Sequence, residues 1–167
     1  MQYKSLFLSV LLFMTGCGYH MGSIMHPQVQ SIAIAPVVNE SLAYNAAADM
    51  RGMLSEQVMR DGSLKLTDLK TADCILHARV LDVSYSKIDD DSYNSQIFRP
   101  SEWRITVRAE FEVIIPGKRE PLVSRRVVVG TADIQALADL EGSRMQGTRY
   151  ACFNAAERII QAITEAW

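Results

Sequence analysis

Few residues in this chain are of types able to do chemistry: three cysteines, three histidines and two pairs of neighbouring cations. Cys17 stands where a long apolar run ends, which puts a nucleophilic thiol at the boundary of an apolar leader. Cys74 and Cys152 are far apart in the sequence, no two cysteines have the short spacing that holds zinc, and there is no glycine-rich phosphate loop. His20 and His26 lie in an irregular stretch and His77 lies in an alternating run, so all three read as surface or structural histidines rather than bases. Asp89-Asp90-Asp91 has the acidity for calcium but lacks the glycine and terminal glutamate of a calcium loop, and reads as a solvated loop. Lys118-Arg119 and Arg125-Arg126 are candidate donors to phosphate oxygens, because charge-assisted N–H bonds are short and strong. The alternative for these pairs is exposed edge charge that keeps strands from associating. No catalytic residue and no metal ligand set is expected, and the net charge of −2 offers no broad field for nucleic acid.

Cys17 follows a short positive segment at Lys4 and the apolar run Leu6 to Met14. That run is shorter than the roughly 20 apolar residues that span a bilayer, so it reads as a signal peptide rather than an anchor helix. Met14-Thr15-Gly16-Cys17 resembles the lipobox of bacterial lipoprotein precursors, with Met14 where Leu is usual. The resemblance implies cleavage before Cys17, diacylglycerol on its thiol and an N-acyl chain on its freed amine. No other cofactor is expected. Each buried methylene contributes about 0.8 kcal/mol, so several chains together fix a membrane anchor. The expected division is a signal peptide over 1–16, a lipidated tether over 17–28 and a single periplasmic domain over 29–167. A mature chain of about 150 residues can bury a real core. Cys74 and Cys152 would then sit in an oxidising compartment, where they are either a disulfide or two buried thiols.

The elements that must position these groups follow from periodicity. Val29 to Pro36, with Ile32 and Ile34 alternating with small residues, predicts a strand. Asn39-Glu40-Ser41 is a turn cluster able to cap a helix. The helix is expected from about Ala43 to Arg60, with Met50, Met53, Leu54 and Val58 on one face and Gly62 just beyond its end. Leu64 to Leu66 reads as a short strand and Cys74 to Ser86 as a long one, with Cys74, Leu76, Ala78 and Val80 on one face. Lys87 to Ser101 reads as a long polar loop. Trp103 to Ile115 alternates most clearly: Ile105, Val107, Ala109, Phe111 and Val113 take one face, and Arg104, Thr106, Arg108, Glu110 and Glu112 the other. A hairpin connection at Pro116 to Glu120 leads to a return strand, Leu122 to Thr131, and a last helix is expected at about Thr148 to Ala166. The pattern predicts an α+β, two-layer sandwich: a mixed or antiparallel sheet of four to five strands with two amphipathic helices packed on one face. The charged sheet face suits either bulk water or a polar barrel lumen.

Cys17-Gly18-Tyr19-His20-Met21-Gly22 resembles the opening of the LptE family of lipopolysaccharide-assembly lipoproteins. The Ile-rich strand running into Asn39-Glu40-Ser41, the helix ending at Asp61-Gly62, Ala72-Asp73 before a long strand, the turn at Pro116-Gly117 and a C-terminal helix ending near a Trp are similar too. The resemblance covers essentially the whole mature chain, apart from the acidic loop. It implies a non-enzymatic protein anchored by lipid at the periplasmic face of the outer membrane. It further implies that the partner is an LptD-type outer-membrane β-barrel, whose assembly the chain supports, and that lipopolysaccharide is delivered through the pair. Gly18 after the acylated cysteine agrees with outer-membrane sorting in known lipoproteins. Under this reading Lys118, Arg119, Arg125 and Arg126 are the candidate lipopolysaccharide contacts. The reading from a different class is a periplasmic lipoprotein that regulates a peptidoglycan synthase.

The lipobox reading makes a direct prediction. Cys17→Ala should block lipid attachment and leave an unprocessed precursor, seen as loss of acyl label and a heavier band. A variant that still matures to the same N-terminus and keeps its label refutes it.

Overall fold

The computed structural model describes residues 29–88, 101–136 and 139–164. The elements are β1 (Ser31–Ile34), β2 (Val38–Asn39), α1 (Ala46–Asp61), β3 (Lys65–Leu66), β4 (Cys74–Ile88), β5 (Ser101–Ile114), β6 (Val123–Ala136) and α2 (Leu140–Thr164). One six-stranded sheet runs β3-β1-β4-β5-β6, with β2 pairing β4. The pairs β1–β3, β1–β4 and β2–β4 are parallel, whereas β4, β5 and β6 form an antiparallel meander. Buried side chains of α1, α2 and one sheet face form a single core, so the α+β two-layer arrangement is the observed one. The signal peptide, the tether, Cys17, the acidic run Asp89-Asp90-Asp91 and Trp167 lie outside the described residues.

Local chemistry explains most boundaries. β1 and β2 are one strand interrupted at Pro36: the amides of Ala35 and Glu40 donate to the carbonyls of Leu76 and Val80 on β4, while proline between them has no N–H to give. Asn39 does not cap a helix as expected. Its Oδ1 accepts from the Ser41 amide and hydroxyl, its Nδ2 donates to the Ala43 carbonyl, and the cluster instead turns the chain. The helix begins after Asn45, whose side chain makes no capping bond. Met50, Met53, Leu54 and Val58 bury the expected face of α1, and Gly62 closes it in the left-handed conformation at φ 71°. Fully burying one such side chain contributes about 1.5–3 kcal/mol.

Four of the strand and helix boundaries differ clearly from the sequence expectation. β6 continues past Thr131 to Ala136, and β4 and β5 reach into the expected loop at Ile88 and Ser101. α2 begins eight residues before Thr148: Asp139 Oδ1 accepts from the Gly142 amide at the helix start, and Glu141 follows in the first turn. A register shift between Val80 and Asp82 also inserts a bulge in β4, so that Val83 rather than Asp82 returns to the buried face.

The remaining cysteines are two buried thiols and form no bridge. Cys74 pairs with Ile32 at the start of β4, its Sγ against the Ser31 carbonyl, whereas Cys152 lies on α2 against the Ala46 carbonyl of α1. Each thiol therefore faces a different neighbour, and burial pushes both up to about 12.

One carboxylate ties the parallel seam. Asp73 Oδ2 accepts from the amides of Gln30 and Ser31 and from the Ser31 hydroxyl, whose Oγ accepts in turn from the Asp73 amide. These bonds, led by the one from the Ser31 side chain, hold its carboxyl below the usual carboxylate range. A lowered folded value means the stabilisation is present at neutral pH and is lost as pH falls through it. Asp73→Asn should therefore lower the melting temperature at neutral pH. The gap to the parent should begin to narrow below about pH 4, where the unfolded carboxyl protonates, and close as pH falls through the lower value of the folded one. Melting curves across pH check it, and a gap that persists unchanged in acid refutes it.

Candidate functional site

The outer face of the sheet, opposite the helices, is where the charged residues collect. Alternation along β5 puts Arg104, Arg108, Glu110 and Glu112 on this face while Ile105, Val107, Ala109, Phe111 and Val113 are buried on the other. The antiparallel register sets Arg79 opposite Glu110, His77 opposite Glu112 and Asp82 opposite Arg108 on β4. On the β6 side, Asp133 lies opposite Arg104.

Most of this charge is spent on itself. Glu40, Arg79, Glu110, Arg125 and Glu112 form a chain of ion pairs at 3.3–3.5 Å across β4, β5 and β6. Arg104 makes a two-pronged contact with Asp133, both bonds 2.8 Å, and the guanidinium's hydrogen bonds hold the Asp133 carboxyl below its usual range. Exposed pairs of this kind contribute about 0–1 kcal/mol each, so their value is order on the face rather than stability.

The four candidate cations are not brought together. Lys118 and Arg119 stand exposed in the β5–β6 connection, in a turn where Gly117 at φ 81° follows Pro116 and the Lys118 amide donates to the Ile115 carbonyl. That geometry is a type II turn, which needs positive φ at its third residue. Neither side chain has an ion-pair partner among the described residues. Arg125 is held by Glu110 and Glu112 on the polar face. Arg126 pairs in register with Phe111 of the buried face, so the two neighbours point to opposite sides of β6.

A second feature was not read from the sequence. A cavity of about 540 Å³ opens between the start of α1, the start of α2 and the far half of β4, with Leu42, Tyr44, Val83, Tyr85, Arg144 and Met145 in its wall. Leu42 and Tyr44 are 102% and 87% exposed, so the mouth is openly apolar. Arg144 lies between the rings of Tyr85 and Trp103 at 5.3 and 5.4 Å and pairs with Glu141 at 3.4 Å. The Tyr85 and Thr148 hydroxyls meet at 3.1 Å. The available signal was Asp139 with Glu141 ahead of an apolar arc, which marks a helix start, but Gly142 and Gly147 masked it. Among the described residues no cluster of His, Cys, Asp or Glu can hold a metal, and no helix is long and apolar enough to cross a membrane.

Comparison with known proteins agrees with this architecture. A profile of the LptE family, described as lipopolysaccharide-assembly, matches residues 29–163. No curated protein matches the sequence. Among solved structures, a minor lipoprotein from Acinetobacter baumannii has 12% identity and a TM-score of 0.52, covering 82% of this chain and 94% of that one. A protein from Xanthomonas campestris has 8% identity and a TM-score of 0.57, covering 84% and 89%. The PelC dodecamer from Paraburkholderia phytofirmans has 11% identity and a TM-score of 0.50, covering 81% and 90%. At such identities these structures share the fold and nothing finer.

Proposed function

The chain belongs to the LptE family of lipopolysaccharide-assembly proteins, and from that premise we propose that it is an outer-membrane lipoprotein which supports assembly of an LptD-type β-barrel and delivery of lipopolysaccharide to the cell surface. The family match across residues 29–163 carries this reading. In it, residues 1–16 are removed, Cys17 bears the diacylglycerol and N-acyl chains, residues 17–28 are the tether, and residues 29–167 form one domain at the periplasmic face of the outer membrane. The role is one of binding and support rather than catalysis.

The sheet face supports it physically. A charged surface enters a polar, enclosed lumen at low cost only when its charges already have partners, because an unpaired charge loses its water uncompensated. Glu110 holding both Arg79 and Arg125, and Asp133 holding Arg104, meet that condition for three of the four arginines on the face, and Arg108 has Asp82 opposite it in register. The unpaired cations at the turn, Lys118 and Arg119, remain for the phosphates of lipopolysaccharide, while Arg125 is engaged by its glutamates and has little to offer.

Two measurements test the proposal. Depletion of the chain should lower the amount of correctly assembled barrel and weaken the outer-membrane permeability barrier. Normal barrel levels and normal surface lipopolysaccharide after full depletion refute it, and co-purification with a peptidoglycan synthase in place of a barrel would support the regulatory reading instead. Changing Lys118 and Arg119 together to Glu should weaken binding of purified lipopolysaccharide by about tenfold or more, since each charge-assisted bond to phosphate is worth about 1.5–3 kcal/mol. The circular-dichroism spectrum should stay unchanged. Equal binding by the folded double variant removes the turn from the contact site.

A further inference from the structure

Among the described residues β6 is the terminal strand of the sheet, 14 residues long, and pairs with β5 on one side only. A long terminal strand presents a row of unpaired backbone groups and is a template for another strand. Its middle, Val127-Val128-Val129, is entirely β-branched, and Val127 is 49% exposed, so the local sequence favours strand addition. At the other end of the sheet β3 has two residues, too few to seed pairing. β6 is thus where the fold is open to a second copy of itself.

Two side chains of α2 stand on that edge. Asn154 Nδ2 donates to the Thr131 carbonyl at 2.7 Å, and Arg158 Nη1 donates to the Val129 carbonyl at 2.6 Å. The two donors are four residues apart, hence on one side of the helix, and their acceptors are two residues apart, hence on one side of the strand. Both acceptors face away from β5, since they are met by the helix that flanks the strand. Arg158 is exposed and Asn154 half-buried, so neither is needed to fill the core.

We infer that Asn154 and Arg158 are edge guards: they occupy the outward carbonyls of β6 and keep the chain from pairing strand to strand with a second copy. An incoming β6 would need the carbonyls of Val129 and Thr131 and would have to displace a guanidinium and a carboxamide to reach them. The pairing prevented is antiparallel and self-complementary, β6 on β6, the simplest two-fold contact between identical chains. For a protein that must stay separate until it meets its partner, closing this edge removes the most accessible wrong contact.

The test uses the full-length chain carrying Asn154→Ala and Arg158→Ala together, its mass followed by light scattering as concentration rises. The parent should keep one mass throughout. The double variant, still folded by circular dichroism, should reach at least twice the parent mass, and adding Val127→Lys, which puts charge on the same edge, should return it to the parent value. Loss of two helix-to-strand bonds in a purely structural role would lower the melting temperature without changing the mass. A folded double variant that remains at the parent mass overturns the inference, as does association that Val127→Lys leaves untouched. Should the double variant fail to fold, Arg158→Ala alone is read by the same two outcomes.

Discussion

The structure depends on how closely α2 can lie against β5 and β6. At Gly130 a side chain would run into the Ala151 carbonyl and the backbone of Ala155, and at Gly147 it would run into Ile105 and Ile134. Backbone meets backbone on one side and side chain on the other, and only glycine leaves the room. Gly147, Ala151 and Ala155 are spaced by four, so they form one small-residue line along the helix, laid on the sheet where Gly130 is absent of a side chain. A glycine inside a helix costs about 1 kcal/mol against alanine. A methyl forced into a packed contact costs typically about 1–3 kcal/mol, so the packing gain outweighs the propensity loss.

The rest of the helix layer follows from that contact. With α2 fixed near the edge of the sheet, its buried arc of Cys152, Ala156, Ile159, Ile160 and Ile163 completes the core shared with α1. The same placement brings Arg144 between Tyr85 and Trp103, and it leaves the apolar hollow between the two helix starts. Among the described residues it also leaves the opposite face of the sheet uncovered. Nothing from the helix layer compensates the charges there, so neighbouring strands must do so, and the register of β4, β5 and β6 decides which pairs form.

How much of this was legible varies with the kind of signal. The two faces of β5 are legible because one is buried and the other wet, and strict alternation leaves one solution, although its start at Ser101 is not. α1 was legible for the same reason at a period of 3.6. The bulge after Val80 was not, because one extra residue changes the parity of everything beyond it and no residue type there announces it. β2 is two residues long and is made by hydrogen bonds across Pro36, which leave no periodic trace. The early start of α2 was obscured by Gly142 and Gly147, residues that read locally as helix breakers and are explained, for Gly147, only by what lies beneath it. Of the candidate site residues, Lys118 and Arg119 were placed correctly at a turn by Pro116-Gly117. The Arg125-Arg126 pair could not be understood as two separate residues until the register was known.

That last separation bears on how a charged protein recognises an anionic ligand. Adjacent cations in a sequence suggest a patch, but adjacent residues of a strand face opposite ways, and each then answers to its own surroundings. Arg125 meets two glutamates, and its charge is cancelled within a few ångströms. Lys118 and Arg119 sit beyond the last ladder pair, where the chain turns, and among the described residues neither is ion-paired, the neighbouring Glu120 included. Attraction to a phosphate depends on charge that is not already neutralised nearby, so the turn outweighs the strand although the two pairs look equivalent in the sequence. The same logic makes the strongly charged sheet face the weaker candidate for an anion. It carries more arginines than the turn, but Arg79, Arg104 and Arg125 each have a carboxylate within 3.5 Å and Arg108 stands opposite Asp82 in register, so a ligand would have to compete with those carboxylates.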